Sequence, residues 1–273
     1  AADAAARAAV AMEKLAAADA PAPAKTEAAP AETKKKEEPA WTGTVGAGFI
    51  SLTGNANTLT FNATGVAERK SQGWIWAAKG TAIYGQSRPA AGPDAPAEVT
   101  ALAAALQLRG DRRFTQLVSG YLLTGAETDH VKSVEYRAYG ESGVGLLWLD
   151  RKRGDLQKLL LRTDLAVRYA EESRFQYYPS PLNVPDLTLI APRLGVAFRY
   201  ALTEDVRFFQ DTEALLNVVG ATRVVVNSTT RLSARLIGAL ALGTSFLVQY
   251  DSQPAPGKVP TDTALSVQLE VGF

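Results

Sequence analysis

From Trp41 to Phe273 apolar residues recur at every second position, so successive side chains must face two different environments. Leu159, Leu161, Leu165, Val167 and Tyr169 alternate with Arg162, Asp164 and Arg168. The last segment places Leu265, Val267, Leu269, Val271 and Phe273 opposite Ser266, Gln268 and Glu270. Alternation of this kind predicts β-strands. Twelve are expected, at 41–52, 58–70, 74–86, 98–109, 114–125, 131–149, 156–170, 187–200, 206–218, 223–236, 240–252 and 262–273. Each exceeds the roughly 9–11 residues with which a tilted strand crosses hydrocarbon.

Residues 1–40 follow different physics. They contain no Gly and no aromatic residue. Residues 1–20 are Ala-rich with high helix propensity. Residues 21–40 interleave Pro, Ala, Lys and Glu and read as a semi-extended linker. The expected organisation is a periplasmic helix and linker at 1–40 followed by a barrel at 41–273. The Ala-rich beginning would suit a chain from which an export signal has been removed.

Three patterns favour a membrane barrel over a soluble sandwich. With both barrel termini on one side, the connections on that side are short: 71–73, 110–113, 150–155, 202–205 and 237–239. The opposite side carries longer ones at 87–97, 126–130, 171–186 and 253–261, with 53–57 and 219–222 short. Short turns on the periplasmic side and longer external loops are the outer-membrane arrangement. Aromatic residues gather near strand ends: Trp41, Trp74, Trp76, Phe114, Trp148, Tyr200, Phe208 and Phe273 at one, Tyr84, Tyr121, Tyr136, Tyr169 and Tyr250 at the other. Two belts of rings suit two membrane interfaces. The face opposite the apolar one carries Glu68, Lys79, Glu135, Arg137, Glu141, Arg162, Asp164, Arg168, Arg193, Arg199, Arg207, Asp211, Glu213, Arg231, Arg235, Asp251 and Glu270. These would line a lumen and largely pair. The expected fold class is all-β, a transmembrane up-and-down antiparallel barrel of about twelve strands.

The opening of this region, WTGTVGAGFISLTGNANTLTF, has Trp41, a glycine-rich first strand with Gly43, Gly46 and Gly48, and a turn of Thr53, Gly54 and Asn55 before Asn57 and Thr58. It resembles the YdiY-type salt-stress-induced outer-membrane protein family, a domain family of unknown function. The resemblance covers 41–273 and not the first forty residues. It implies an outer-membrane barrel and a possible link to salt or envelope stress, and it transfers no catalytic residue.

Enzyme chemistry has little material. The chain has no Cys and one His, which excludes thiolate metal sites, cysteine nucleophiles and multi-histidine metal centres. His130 lies in the loop segment GAETDHVK and reads as a solvated loop residue, although outer-membrane phospholipases of twelve strands use a Ser–His–Asn arrangement. Asp211 and Glu213 are a salt-bridge ladder before they are a glycosidase pair. GTVGAGF has no following Lys-Ser/Thr helix and is no phosphate loop. A formal net charge of +1 argues against a nucleic-acid partner. No cofactor and no metal are expected.

Two functions remain. One is a narrow channel for ions or small solutes. The other is a non-conducting anchor or a component of an envelope assembly, using the N-terminal helix. Expected partners are outer-membrane lipid and lipopolysaccharide, and the barrel-assembly machinery through the C-terminal strand. Residues 1–40 read first as a solvated tether with a transient helix; the sharper alternative is that they engage a periplasmic protein, the cell wall or other copies. In the external segment EESRFQYYPSPLNVPD, Arg174, Phe175, Tyr177 and Tyr178 could touch a ligand or lipopolysaccharide, or pack over the mouth. Deleting 1–40 tests the docking role: loss of captured partners or a changed oligomeric state is expected, and unchanged behaviour refutes it.

Overall fold

The computed structural model describes residues 41–273 apart from 53–56, 72, 89–96, 154–155 and 179. The expected helix and linker at 1–40 and the Thr53–Asn55 turn lie outside the described residues. Thirteen strands are described: β1 (Trp41–Leu52), β2 (Asn57–Ser71), β3 (Trp74–Arg88), β4 (Glu98–Arg113), β5 (Val118–Asp129), β6 (Val134–Arg153), β7 (Leu156–Gln176), β8 (Leu182–Asn183), β9 (Leu187–Ala201), β10 (Val206–Asn217), β11 (Arg223–Ile237), β12 (Leu240–Asp251) and β13 (Thr261–Gly272). The two-residue β8 pairs only with the end of β7. The other twelve form one antiparallel sheet in sequence order, which β1 closes by pairing with β13. Closure removes the unpaired edge that hydrocarbon could not solvate.

The seam is short. The β1–β13 register runs from Thr44↔Gly272 to Ala47↔Leu269, whereas β1 pairs β2 from Trp41↔Arg69 to Leu52↔Thr58. Beyond it, Gly43 and Phe273 exchange backbone hydrogen bonds of 2.9 and 3.0 Å. The C-terminal residue therefore helps close the cylinder.

The packing is inverted relative to a soluble domain. Outward side chains on all sides of the barrel are large, apolar and exposed, including Phe49, Leu106, Leu122, Leu165, Leu194, Leu232 and Leu265. Among the inward ones, Asp111, Glu141, Asp164, Glu172, Arg223 and Glu270 are buried. Trp41, Trp74, Trp76, Trp148 and Phe273 stand exposed on the outer wall toward the short-turn end. There the Trp74 and Trp76 rings stack at 5.6 Å, and Trp148 Nε1 donates to Thr163 Oγ1 at 2.9 Å.

Turn chemistry explains where the strand boundaries differ from expectation. Thr115 Oγ1 accepts from the N–H groups of Leu117 and Val118 at 3.2 and 2.9 Å. Thr203 Oγ1 does the same for Asp205 and Val206 at 3.2 and 2.9 Å. The β4–β5 turn is thus 114–117 and not 110–113, so β4 continues to Arg113. Gly73 and Gly238 take positive φ in two further short turns, where a Cβ would be strained. At the other end β7 continues to Gln176, so Arg174 and Phe175 are strand residues and not loop residues.

Inward-facing glycines make room for long neighbours. A Cβ at Gly243 would overlap the Glu270 carboxylate, one at Gly145 the Arg162 guanidinium, and one at Gly125 the Tyr139 ring. Gly65 has nothing within 4 Å of the same position. Gly243→Val is expected to destabilise the barrel by about 1–3 kcal/mol through overpacking, while Gly65→Ala stays within roughly 0.5 kcal/mol. Urea unfolding in detergent, followed by tryptophan fluorescence, checks both.

Candidate functional site: a charge-paired lumen

Period two along β7 places Arg162, Asp164, Arg168, Glu172 and Arg174 on the inner face, and they enter three ion-paired groups at successive levels. Near the short turns Arg109 grips two carboxylates. It donates to Asp111 at 2.9 and 3.0 Å and to Asp164 at 2.6 and 3.1 Å. Arg162 donates to Asp164 at 2.8 Å and also to Asp111. The Arg109 guanidinium lies 3.7 Å above the Tyr121 ring centroid. β4 and β7 are not neighbours, so these bonds span the lumen across β5 and β6.

At mid-height Glu141 accepts from Arg168 at 2.8 Å, from Arg193 at 3.1 Å and from the Tyr121 hydroxyl. Glu213 accepts from Arg193 at 2.7 Å, Asn227 at 2.9 Å and Arg168 at 3.1 Å. Nearer the long loops, three arginines converge on Glu172. Arg137 Nε is 2.8 Å away, Arg174 Nε 3.1 Å and Arg223 Nη1 3.6 Å. Arg137 also holds Glu127, and Arg223 holds Asp251 at 2.5 and 2.8 Å. Each group balances its charges, as ions removed from water require.

Toward β11–β13, Arg231 donates to Glu270 at 3.2 Å and Ser233 donates to it at 2.8 Å. Arg199 grips Asp211 at 2.6 and 2.9 Å. Arg207 is exposed at the short-turn rim, and Arg235 pairs at the rim with Asp205 of the β9–β10 turn at 2.5 Å. A bulge between Val134 and Tyr136 accompanies the turning of Glu135 outward, where it accepts from Ser173 and Tyr177.

Sequence reasoning missed Arg109, Asp111, Glu127, Glu172 and Arg223, because it placed them in turns or at strand ends. Tyr121 also differs: it faces the lumen near the short turns and not the outer wall near the long loops. The Thr-x-x-Val pattern shared by Thr115–Val118 and Thr203–Val206 would have located the first turn correctly.

The opposite wall is built differently. Thr44, Thr60, Asn62, Thr64, Ala77, Thr81, Ala105, Ser245 and Ser266 face inward from β1–β4, β12 and β13. Luminal Lys79 is exposed and luminal Val66 retains 42% of its surface, so solvent reaches this side. Beside the mid-height and upper ion pairs lies a small cavity of about 90 Å³. Gln107, Tyr139, Arg168, Leu189, Glu213 and Asn227 are among its lining residues.

The hairpin tip 130–133 reaches over the long-loop mouth. Lys132 lies 3.3 Å from Asp262 and donates to Gln249. β12 and β13 stand diametrically opposite β5 and β6 in the ring, so this contact spans the mouth. His130 stacks on Tyr177 at 4.2 Å, Phe175 meets Tyr177 edge-on at 4.8 Å, and Lys258 donates to the Tyr178 carbonyl at 3.0 Å. Among the described residues no group of three or more His, Cys, Asp or Glu is placed to hold a metal.

A closed antiparallel cylinder with a lipophilic wall, an aromatic belt and an ion-paired interior defines an outer-membrane β-barrel. More narrowly, the chain belongs to the DUF481 family, proteins of unknown function, whose profile matches residues 45–273. No curated protein matches it by sequence. Among solved structures it is similar to the NanC porin at 10% identity and a TM-score of 0.46, covering 86% of this chain and 99% of that one. It is similar also to the translocator domain of the autotransporter NalP from Neisseria meningitidis, at 11% identity and a TM-score of 0.37, covering 85% and 87%. The β domain of the Bordetella autotransporter BrkA gives 12% identity and a TM-score of 0.40, covering 85% and 97%.

Glu172→Ala would leave three guanidinium groups short of their shared carboxylate. It is expected to destabilise the barrel by about 3–5 kcal/mol, whereas Arg235→Ala at the exposed rim shifts stability by roughly 1 kcal/mol or less. Unfolding midpoints in urea separate the two.

Proposed function

We propose that this barrel is a narrow channel for ions or small polar solutes, constricted at its long-loop mouth by the 130–133 hairpin. The supporting observation is the divided lumen. Most of the paired charges lie on the β4–β11 side, and mostly short neutral side chains on the other leave Val66 and Lys79 open to solvent. In this reading solutes pass along the Thr/Ser/Asn wall, and Lys132 is the tie that narrows the entrance. The short-turn end faces the periplasm and the long loops face outward with lipopolysaccharide around Phe175, Tyr177 and Tyr178. Residues 1–40 form a periplasmic segment that engages a partner, the cell wall or other copies. The C-terminal strand serves the assembly machinery, and the link to salt or envelope stress belongs to this proposal. The chain acts without catalysis.

One observation favours the second reading, a non-conducting anchor. The hairpin spans the mouth and is held on both sides, by His130 N–H to the Leu102 carbonyl at 3.0 Å and by Lys132 to Asp262 at 3.3 Å.

Single-channel recording in planar bilayers distinguishes them. The channel gives stable steps, and Lys132→Ala raises open probability. An exposed pair of this kind is worth about 0.2–1 kcal/mol, so the rise is at most about fivefold. Silence from both folded proteins supports the anchor.

A further inference from the structure

The outer wall carries a hydrogen-bonded polar cluster in the middle of the bilayer span. Gln210 and Thr212 of β10 lie beside Thr230 and Ser228 of β11, on the lipid-facing side shared with Phe208 and Leu232. Gln210 Nε2 donates to Thr212 Oγ1 at 3.0 Å and to Ser228 Oγ at 2.9 Å. Thr230 Oγ1 donates to Gln210 Oε1 at 2.6 Å, and the Thr212 and Ser228 hydroxyls share a bond of 3.1 Å. Neither the lumen nor the membrane interfaces account for this group. It sits between Phe208 and Leu216 along β10 and between Val226 and Leu232 along β11.

An amide and three hydroxyls at this depth have no water to bond to. Both amide hydrogens and the Thr230 hydroxyl are committed inside the cluster. Of the Thr212 and Ser228 hydroxyls, one donates to the other. That leaves one hydroxyl hydrogen and the second acceptor site of Gln210 Oε1 for a group outside the cluster. Acyl chains offer neither a donor nor an acceptor. A second copy related by a two-fold axis offers both, because its spare hydroxyl meets this amide oxygen and the reverse contact follows by symmetry. Around the cluster the wall is apolar, with Leu194, Leu216, Leu232 and Phe246 exposed at 49, 42, 44 and 44%.

We infer that the β9–β12 wall is a homodimer interface within the membrane, centred on Gln210, Thr212, Ser228 and Thr230. The polar cluster fixes the register of the two barrels, and the surrounding leucines and Phe246 supply packing area. This inference is independent of whether the lumen conducts.

The chain has no cysteine, so introduced ones report on contact between copies. Thr212→Cys is placed at the cluster, and Leu106→Cys on β4 serves as the control on the far wall. With the full chain in vesicles at low protein-to-lipid ratio, oxidation is expected to give a cross-linked dimer for Thr212→Cys and monomer for Leu106→Cys. By sedimentation in detergent, Gln210→Leu is expected to weaken association about tenfold. Thr230→Val replaces it if that variant fails to fold, as judged by heat-modifiable mobility. Equal cross-linking at both cysteines, monomeric wild type, or unchanged association of the folded variants overturns the proposal.

Discussion

The constraint behind this molecule is that hydrocarbon offers no partner for a peptide N–H or C=O. An antiparallel sheet meets it only by closing on itself, so the last strand must find the first. The sequence serves that end with twelve long strands, connected in order and each paired with its neighbours. Placing apolar groups outward then follows, and the charged side chains of the strands turn inward or to the rims; the Gln210 cluster on β10 and β11 is a polar exception on the outer wall.

The interior consequently resembles a folded salt rather than an oily core. Arginine forks are matched to carboxylates on the same or the next strand, and several reach two or three strands around the ring as well, as Arg109 does to Asp164 and Arg223 to Glu172. Such long side chains could not cross the lumen if every inward position carried its own bulk. Gly145 and Gly243 lie beneath Arg162 and Glu270, so small residues on one strand are the counterpart of long ones on the next. Removing ions from water is unfavourable, and only the balanced, multidentate pairing offsets it. Among the described residues the side facing β1–β3 shows no network of that size, and Val66 and Lys79 there are exposed.

The alternation made the barrel, its strand number and most of its inward residues legible from the chain alone. Arg168, Glu141 and Glu213 could be placed in the lumen by parity. Their partners were harder to see. Where a strand extends past the membrane both faces are polar, so the period of two fades. Glu172 and Arg174 therefore read as loop although they continue β7. At the short-turn end a four-residue error in the β4–β5 turn hid Arg109 and Asp111 and put Tyr121 at the wrong end of its strand. Parity also says nothing about bulges, and one beside Glu135 turned that carboxylate outward. The lipid-facing cluster around Gln210 was invisible for another reason: alternation counts apolar positions and does not weigh the polar exceptions among them.

The short seam has a kinetic consequence. Hairpin neighbours are joined by turns of a few residues and can pair as soon as both strands exist. Thr44 and Gly272 are separated by almost the whole barrel sequence, so their meeting carries the largest loop-closure entropy of any pairing in the sheet. Few residues then secure that meeting. The β1–β13 junction is accordingly the last to form and the first to part, and the Gly43–Phe273 pair acts as a clasp on a cylinder assembled locally everywhere else.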